Sequence, residues 1–337
     1  MCRTASPSGW PRIRGSAGHM RSRHLHSLRP NPVPVCSAPV RLVLVFCVLA
    51  FWLSPAFVSA QSSTLTLTPA IVEAGSPELI RVEAPPTATI EGEWLGRKLD
   101  FFRGSNGQAH DVQIWFALAG VDVEAAAGPS TLRLIIHAVG GVRDLTRTIE
   151  IHPAHYRTGS LAVAPKFVEP GPEQLKQIDA DSRLKAKVFA VSAPDPLWAG
   201  NFHAPVTAPP TDSFGTRRVF NGKLASIHKG MDFRAATGTP VRAGNSGVVV
   251  LARPLYYEGN CVVIDHGLGL FTVSMHLSRI DVKEGEHVAA GQRLGLSGAT
   301  GRVTGPHLHW AVRWQNAYLD PAKLLHLNLN VARSASR

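Results

Sequence analysis

From residue 61 onward, short runs of period-two hydrophobicity alternate with clusters of turn residues. Thr64-Leu65-Thr66-Leu67-Thr68 sets its leucines on one side of an extended segment, and Arg133-Leu134-Ile135-Ile136-His137 and Arg147-Thr148-Ile149-Glu150-Ile151 repeat the theme around Gly140-Gly141. Strands at this spacing predict a small β-sandwich over residues 61–155. The period changes after Pro172, where Leu175, Ile178, Leu184 and Val188 recur at broadly helical spacing and predict a helix running to about Ala190. Trp198 and several prolines follow, so residues 156–201 read as a helical and proline-rich connector. From 202 to 337 the pattern is again strand and turn. Gly247-Val248-Val249-Val250-Leu251 is a buried strand, residues 261–264 and 270–275 flank the turn Asp265-His266-Gly267-Leu268-Gly269, and residues 307–314 form another strand. The predicted fold is mainly β: a C-terminal antiparallel sheet domain preceded by a small sandwich and a helical connector.

The first sixty residues follow other rules. Arg41 precedes an apolar run, residues 42–53, which Pro55 breaks before Val58-Ser59-Ala60 and Gln61. A cationic stretch, a short apolar core and small terminal residues predict a secretory signal cleaved after Ala60, and hence a periplasmic or cell-envelope location with membrane contact only during export. The alternative, a membrane anchor, needs about 20 apolar residues and no cleavage pattern. Met20 is a second candidate start, and bulky Phe46 before Cys47 argues against lipidation.

This leader also reinterprets the charge. The chain carries 35 basic and 24 acidic residues, a net of +11, but seven arginines and no acid lie in residues 1–60. The remaining 28 basic and 24 acidic residues leave +4 without a basic stripe, so no nucleic-acid partner is expected. Hydrophobic residues at 45% and charged residues at 18% exclude a chain disordered from end to end. Three of the four cysteines leave with the leader, and Cys261, in the apolar strand Asn260-Cys261-Val262-Val263-Ile264, is expected to be a buried thiol rather than a nucleophile.

Two histidine clusters carry the candidate chemistry. His228-Lys229-Gly230-Met231-Asp232 puts an imidazole and a carboxylate four apart, and His307-Leu308-His309 puts two imidazoles two apart, spacings that share one face of a strand. Imidazole and carboxylate are good zinc ligands, and a catalytic zinc keeps three protein ligands with one position open. Four candidates for three places leave one histidine beside the metal, an arrangement suited to hydrolysis. Either cluster alone is a weak signal; no H-E-x-x-H helix is present.

Four blocks in order, Ser213-Phe214-Gly215-Thr216-Arg217, His228-x-x-x-Asp232, Met275-His276-Leu277-Ser278 and Thr300-Gly301-x-x-Thr304-Gly305-Pro306-His307-Leu308-His309, resemble the lysostaphin/LytM-type zinc endopeptidases across roughly residues 205–326. Residues 61–204 are similar, less specifically, to the upstream region of exported Gram-negative members. The resemblance implies a zinc peptidase domain over 202–337 with one Zn2+ per chain, bound by His228, Asp232 and His309. It implies that His276 and His307 assist a metal-activated water and stabilise the oxyanion. The implied substrate and partner is peptidoglycan, cut at peptide cross-links or stem peptides, usually at D-alanyl–diaminopimelate bonds in Gram-negative relatives. The competing reading is a catalytically silent LytM-like regulator that activates wall amidases; such members lack ligands, whereas all five residues are present here.

Other polar residues are expected to play simpler parts. His266 in its hairpin turn, His287 and His203 are expected at the solvated surface, and Asp265 is expected to shape its turn through backbone hydrogen bonds. Arg217 and Arg218 could meet substrate carboxylates or form structural ion pairs. Trp310 and Trp314 share a strand face that is either core or cleft wall.

Overall fold

The computed structural model describes residues 64–104, 112–160, 170–220 and 223–331, all within one compact unit, Ala60–Arg337. The expected signal segment, residues 1–60, lies outside the described residues. Among the described residues no helix is long and apolar enough to cross a membrane.

The period-two segments form two sheets in the N-terminal part. One holds Leu65–Thr68, Pro77–Ala84, Gln113–Gly120 and Phe101–Arg103; the other holds Val72–Glu73, Gly141–His152, Gly128–Ala138, Thr89–Trp94 and Arg97–Leu99. Ile80, Trp94, Leu99, Leu118, Leu132 and Leu134 are almost wholly buried between them. The Trp94 indole donates to Ser130 Oγ at 3.0 Å, which satisfies the one polar atom that this burial would strand.

The helix Pro172–Phe189 begins where proline costs no hydrogen bond and ends at Ala190. None of its residues is fully buried, and Leu175 is 53% exposed, so the apolar spacing overstates its packing. Leu184, Val188 and Phe189 alone reach a cluster formed by Leu251, Cys261, Val263, Phe271 and neighbours. Asp181 accepts from the Tyr256 backbone at 2.7 Å and Lys185 pairs with Glu258, fastening the helix to the 256–259 turn.

The C-terminal sheet runs in the order Pro210–Asp212, Met231–Phe233, Leu308–Trp314, Leu270–Ile280, Gly259–Asp265, Gly247–Leu255, His287–Val288, with antiparallel neighbours throughout. The strand Leu270–Ile280 does not end at Met275 as the sequence pattern predicts. It pairs with Leu308–Trp314 as far as Met275↔His309, then with Arg293–Ser297 from Leu277↔Ser297, and His276 sits at the change of partner. Trp310 and Trp314 are core, 1% and 2% exposed, and Cys261 is buried, with its thiol pKa pushed up by burial.

A third, three-stranded sheet joins the connector to this domain. Thr158–Ser160 lies parallel to Arg217–Phe220, which is antiparallel to Lys223–Ile227. Just upstream, Tyr156 donates its hydroxyl to Ala74 O at 2.6 Å and packs its ring where a side chain at Gly215 would be, so that position, at φ 78°, admits only glycine. Lys229–Glu124 at 2.8 Å and Lys323–Glu73 at 2.5 Å tie the N-terminal sheets to the C-terminal part.

Candidate metal centre

His228 and Asp232 do not share one strand. Lys223–Ile227 ends just before His228, and Asp232 lies in Met231–Phe233, with Lys229-Gly230 between. The break is held by backbone bonds from His228 N to Thr216 O at 2.9 Å and from Gly215 N to His228 O at 2.8 Å. Asp232 is then the direct cross-strand partner of His309, which Met275 flanks on the other side. Antiparallel register, rather than spacing within one segment, brings the two clusters together.

His228 Nε2, Asp232 Oδ1 and His309 Nδ1 lie 3.0, 3.0 and 2.8 Å from one another. His228 Nδ1 donates to Ser213 O at 2.9 Å. A carbonyl only accepts, so that contact puts the proton on Nδ1 and turns the Nε2 lone pair inward. Converging lone pairs repel unless a cation or proton sits among them. A tetrahedral zinc with bonds of about 2.1 Å holds its ligands roughly 3.4 Å apart, so this donor set fits zinc with small adjustment. Burial disfavours ionisation of Asp232, but hydrogen bonding and attraction from His228 and His309 outweigh it and hold the carboxyl far below the usual range. Burial lowers the His309 pKa, Asp232 opposing, which keeps the ring in the neutral, ligating form.

Behind the cluster, Arg218 donates to Asp232 Oδ2 at 3.2 Å and Asp212 Oδ2 at 3.1 Å. Asp212 in turn accepts from Thr216 Oγ1 at 2.9 Å. Of the two readings left open for Arg218, the structure takes the ion pair. Arg217 is exposed and lines a different recess, beside Tyr156.

His276 and His307 face the cluster. His276 Nδ1 donates to Thr300 O at 2.9 Å and His307 Nδ1 to Gly305 O at 2.8 Å, so both present Nε2 to the cleft. Their ring centroids are 4.9 Å apart, and His307 Nε2 is 3.8 Å from Asp232 Oδ1. Burial, then the neighbouring His309 and His307, push the His276 pKa down to about 3. His276 also has φ 64°, a left-handed conformation that L side chains rarely adopt, held by a bond from its N–H to Glu258 O at 2.9 Å. The strand thus kinks where its imidazole must turn toward His307. The cleft, about 420 Å³, has Arg157, Thr158 and Gly159 on one wall and the 302–306 loop on another.

Residues 226–321 match the sequence model of Peptidase family M23. Over 128 residues the chain is 45% identical to peptidoglycan DD-endopeptidase ShyA of Vibrio cholerae, covering 38% of this chain and 29% of that protein. It is 35% identical to the catalytic domain of lysostaphin from Staphylococcus simulans over 36% of this chain and 93% of that one, with a TM-score of 0.33. The chain belongs to peptidase family M23. An M23 structure from Pseudomonas aeruginosa is 27% identical over 73% of this chain and 92% of that one, with a TM-score of 0.54, so the shared fold reaches beyond the matched segment. The alignments span 29% of ShyA and 25% of ShyB, less than a third of the curated relatives' own length.

Within this M23 chain the remaining polar residues divide. Asp265 holds its turn through Gly267 N at 2.8 Å and the connector through Ala193 N at 2.8 Å, as its position predicts. His203 and His287 are exposed. His266 is not solvated as expected: it is completely buried, with Nδ1 2.7 Å from Ser246 O and Nε2 2.8 Å from Thr272 Oγ1, under the edge of Phe202. The proline-rich connector covers the hairpin turn, Leu197 N donating to His266 O at 2.7 Å, and burial lowers the imidazole pKa to about 4. Three residues in and around the M23 centre escaped the sequence reading: Asp212, immediately before the first block; Gly230, between two ligand candidates; and Arg302, inside the fourth block. For each, its place within or beside a motif was the available signal.

Proposed function

We propose that the chain is a zinc-dependent endopeptidase that hydrolyses peptide cross-links or stem peptides of bacterial peptidoglycan in the cell envelope. The observation that carries this reading is the convergence of three oriented ligand atoms with two further imidazoles across one cleft. His228, Asp232 and His309 would hold one zinc, with Ser213 O fixing the tautomer of His228 and Arg218 fixing Asp232. Zinc, when bound, supplies Lewis acidity and lowers the pKa of water to about 7. His276 and His307, each locked by a carbonyl on Nδ1, would use Nε2 to move the proton of the attacking water and to hold the charge developing on the peptide oxygen. Burial keeps His276 neutral in the ground state, so its Nε2 is free to accept. ShyA and its relatives ShyB and ShyC are named as peptidoglycan DD-endopeptidases, which supports the same substrate class here.

The test is digestion of purified peptidoglycan by the zinc-loaded protein, with the fragments identified by mass. New amino termini at peptide cross-links are the expected result. Intact wall together with stimulated amidase activity would replace the reading with that of a silent regulator.

A further inference from the structure

We propose that Arg302 is a substrate-binding residue, forming an anion subsite that selects peptides carrying a free carboxylate on the amine side of the scissile bond. The inference rests on the peptidase reading and specifies what its substrate must offer. Three guanidiniums line the cleft, from Arg157, Arg218 and Arg302. Arg218 is already neutralised by Asp212 and Asp232. Arg157 is exposed at the rim. Arg302 differs from both: it is half-buried, its guanidinium lies 4.3 Å from the Tyr257 ring centroid, and among the described residues it makes no ion pair. Burial above all lowers its pKa, with Arg218 reinforcing and Tyr257, Glu258 and Tyr256 opposing. The nearby acid, Glu258, is already paired with Lys185, so a half-buried cation beside another cation, open to a cleft and without a carboxylate in direct contact, gains most from an anionic ligand.

Its position is also fixed to the chemistry. Arg302 N donates to Tyr257 O at 2.9 Å, and a side chain at Gly301 would strike Gly259 N at 2.3 Å, so the loop is clamped onto the 256–259 turn. The same loop supplies Thr300 O, which orients His276. Only Gly301 lies between the residue whose carbonyl aims one imidazole and the residue that carries the guanidinium, and stacking on Tyr257 stiffens the latter. A planar fork held this way reads a carboxylate by geometry as well as charge, and an uncharged amide leaves it unpaired. On a D-alanyl–diaminopimelate cross-link two carboxylates qualify: the side carboxylate of diaminopimelate and the terminal carboxylate of its stem.

The experiment uses a synthetic cross-linked stem peptide and two analogues, one with each carboxylate converted to the amide, against the zinc-loaded protein. One amide is expected to lower kcat/KM by about 10- to 100-fold, the effect of losing a charged hydrogen bond, and which one it is identifies the carboxylate. In Arg302→Gln the ratio of acid to amide should fall toward one, while Arg302→Lys should keep much of it. Zinc content and melting temperature of each variant separate misfolding from lost recognition, and the wild-type arm needs no variant. Equal kcat/KM for the acid and both amides, or full discrimination surviving in Arg302→Gln, would overturn the subsite while leaving the peptidase reading intact. If no probe is cleaved, the peptidase reading fails, and calorimetric Kd values for the same three peptides still decide the subsite by the same ratio.

Discussion

Replacing Gly230 by alanine tests the metal centre without removing a ligand. A Cβ at this position would lie 2.4 Å from His309 Nε2, 2.6 Å from His309 Cε1 and 2.8 Å from Trp310 O. The carbonyl belongs to a central strand and yields less readily than a side chain, so the larger shift falls on the imidazole. Ordinary contact begins near 3.4 Å, so the ring has to retreat by about 1 Å. Metal–ligand distances tolerate roughly 0.2 Å, and a displacement of about 1 Å near the chemistry can cost about 10²-fold in rate. We expect Gly230→Ala to weaken zinc binding by at least about tenfold and to lower turnover by about 10²-fold. The overpacking should destabilise the metal-free protein by about 1–3 kcal/mol. Competition against a zinc-binding dye, thermal unfolding with and without zinc, and turnover on one preparation give the three numbers. Parental zinc affinity in Gly230→Ala would refute the reasoning, because it would mean that His309 either moves freely or does not hold the metal.

His228→Ala, Asp232→Ala and His309→Ala should each abolish stoichiometric zinc, read by metal analysis; full occupancy in all three would mean the ligand set lies elsewhere. His276→Ala or His307→Ala should instead lose about 10²-fold or more in rate with zinc content and melting temperature near the parent, whereas activity and stability falling together would mark them as structural. The buried His266 makes a prediction about acid stability. Its folded pKa of about 4 lies below the ordinary imidazole value of 6.5, so between these values the unfolded chain binds a proton that the folded chain does not. Stability contributed by this group is therefore lost as pH falls from about 7 toward 4, by up to about 3 kcal/mol. Unfolding curves for His266→Gln should show a shallower acid limb than the parent, and identical limbs would deny His266 that part.

What the sequence revealed follows from what is local. Alternation exposed the N-terminal strands, and proline with helical spacing marked the helix within a residue of its end, because both patterns are written in neighbours. The co-location of His228, Asp232, His276, His307 and His309 was legible because four blocks matched a family, not because any block was decisive alone. Relations between distant segments stayed hidden. His266 looked solvated because nothing in its hairpin announces the connector that covers it, and the kink at His276 arises from a change of strand partner that no local pattern encodes. Arg217 and Arg218 are neighbours in sequence with opposite fates, since alternation sends one to solvent and the other to Asp212 and Asp232.

The strand Thr158–Ser160 changes what it means to isolate the chemistry of this chain. A fragment starting at residue 202 would keep every histidine of the cluster, yet it would lose the segment that contributes Arg157, Thr158 and Gly159 to the groove. It would also bare the backbone edge of Arg217–Phe220, an edge open to pairing with any extended chain. Transplanting the C-terminal sheet into another protein would carry the histidine cluster without the original trough, and the new host would have to supply a strand of its own. Kinship between such sheets is thus compatible with different appetites, because the wall facing the histidine cluster is cut from cloth that lies outside it.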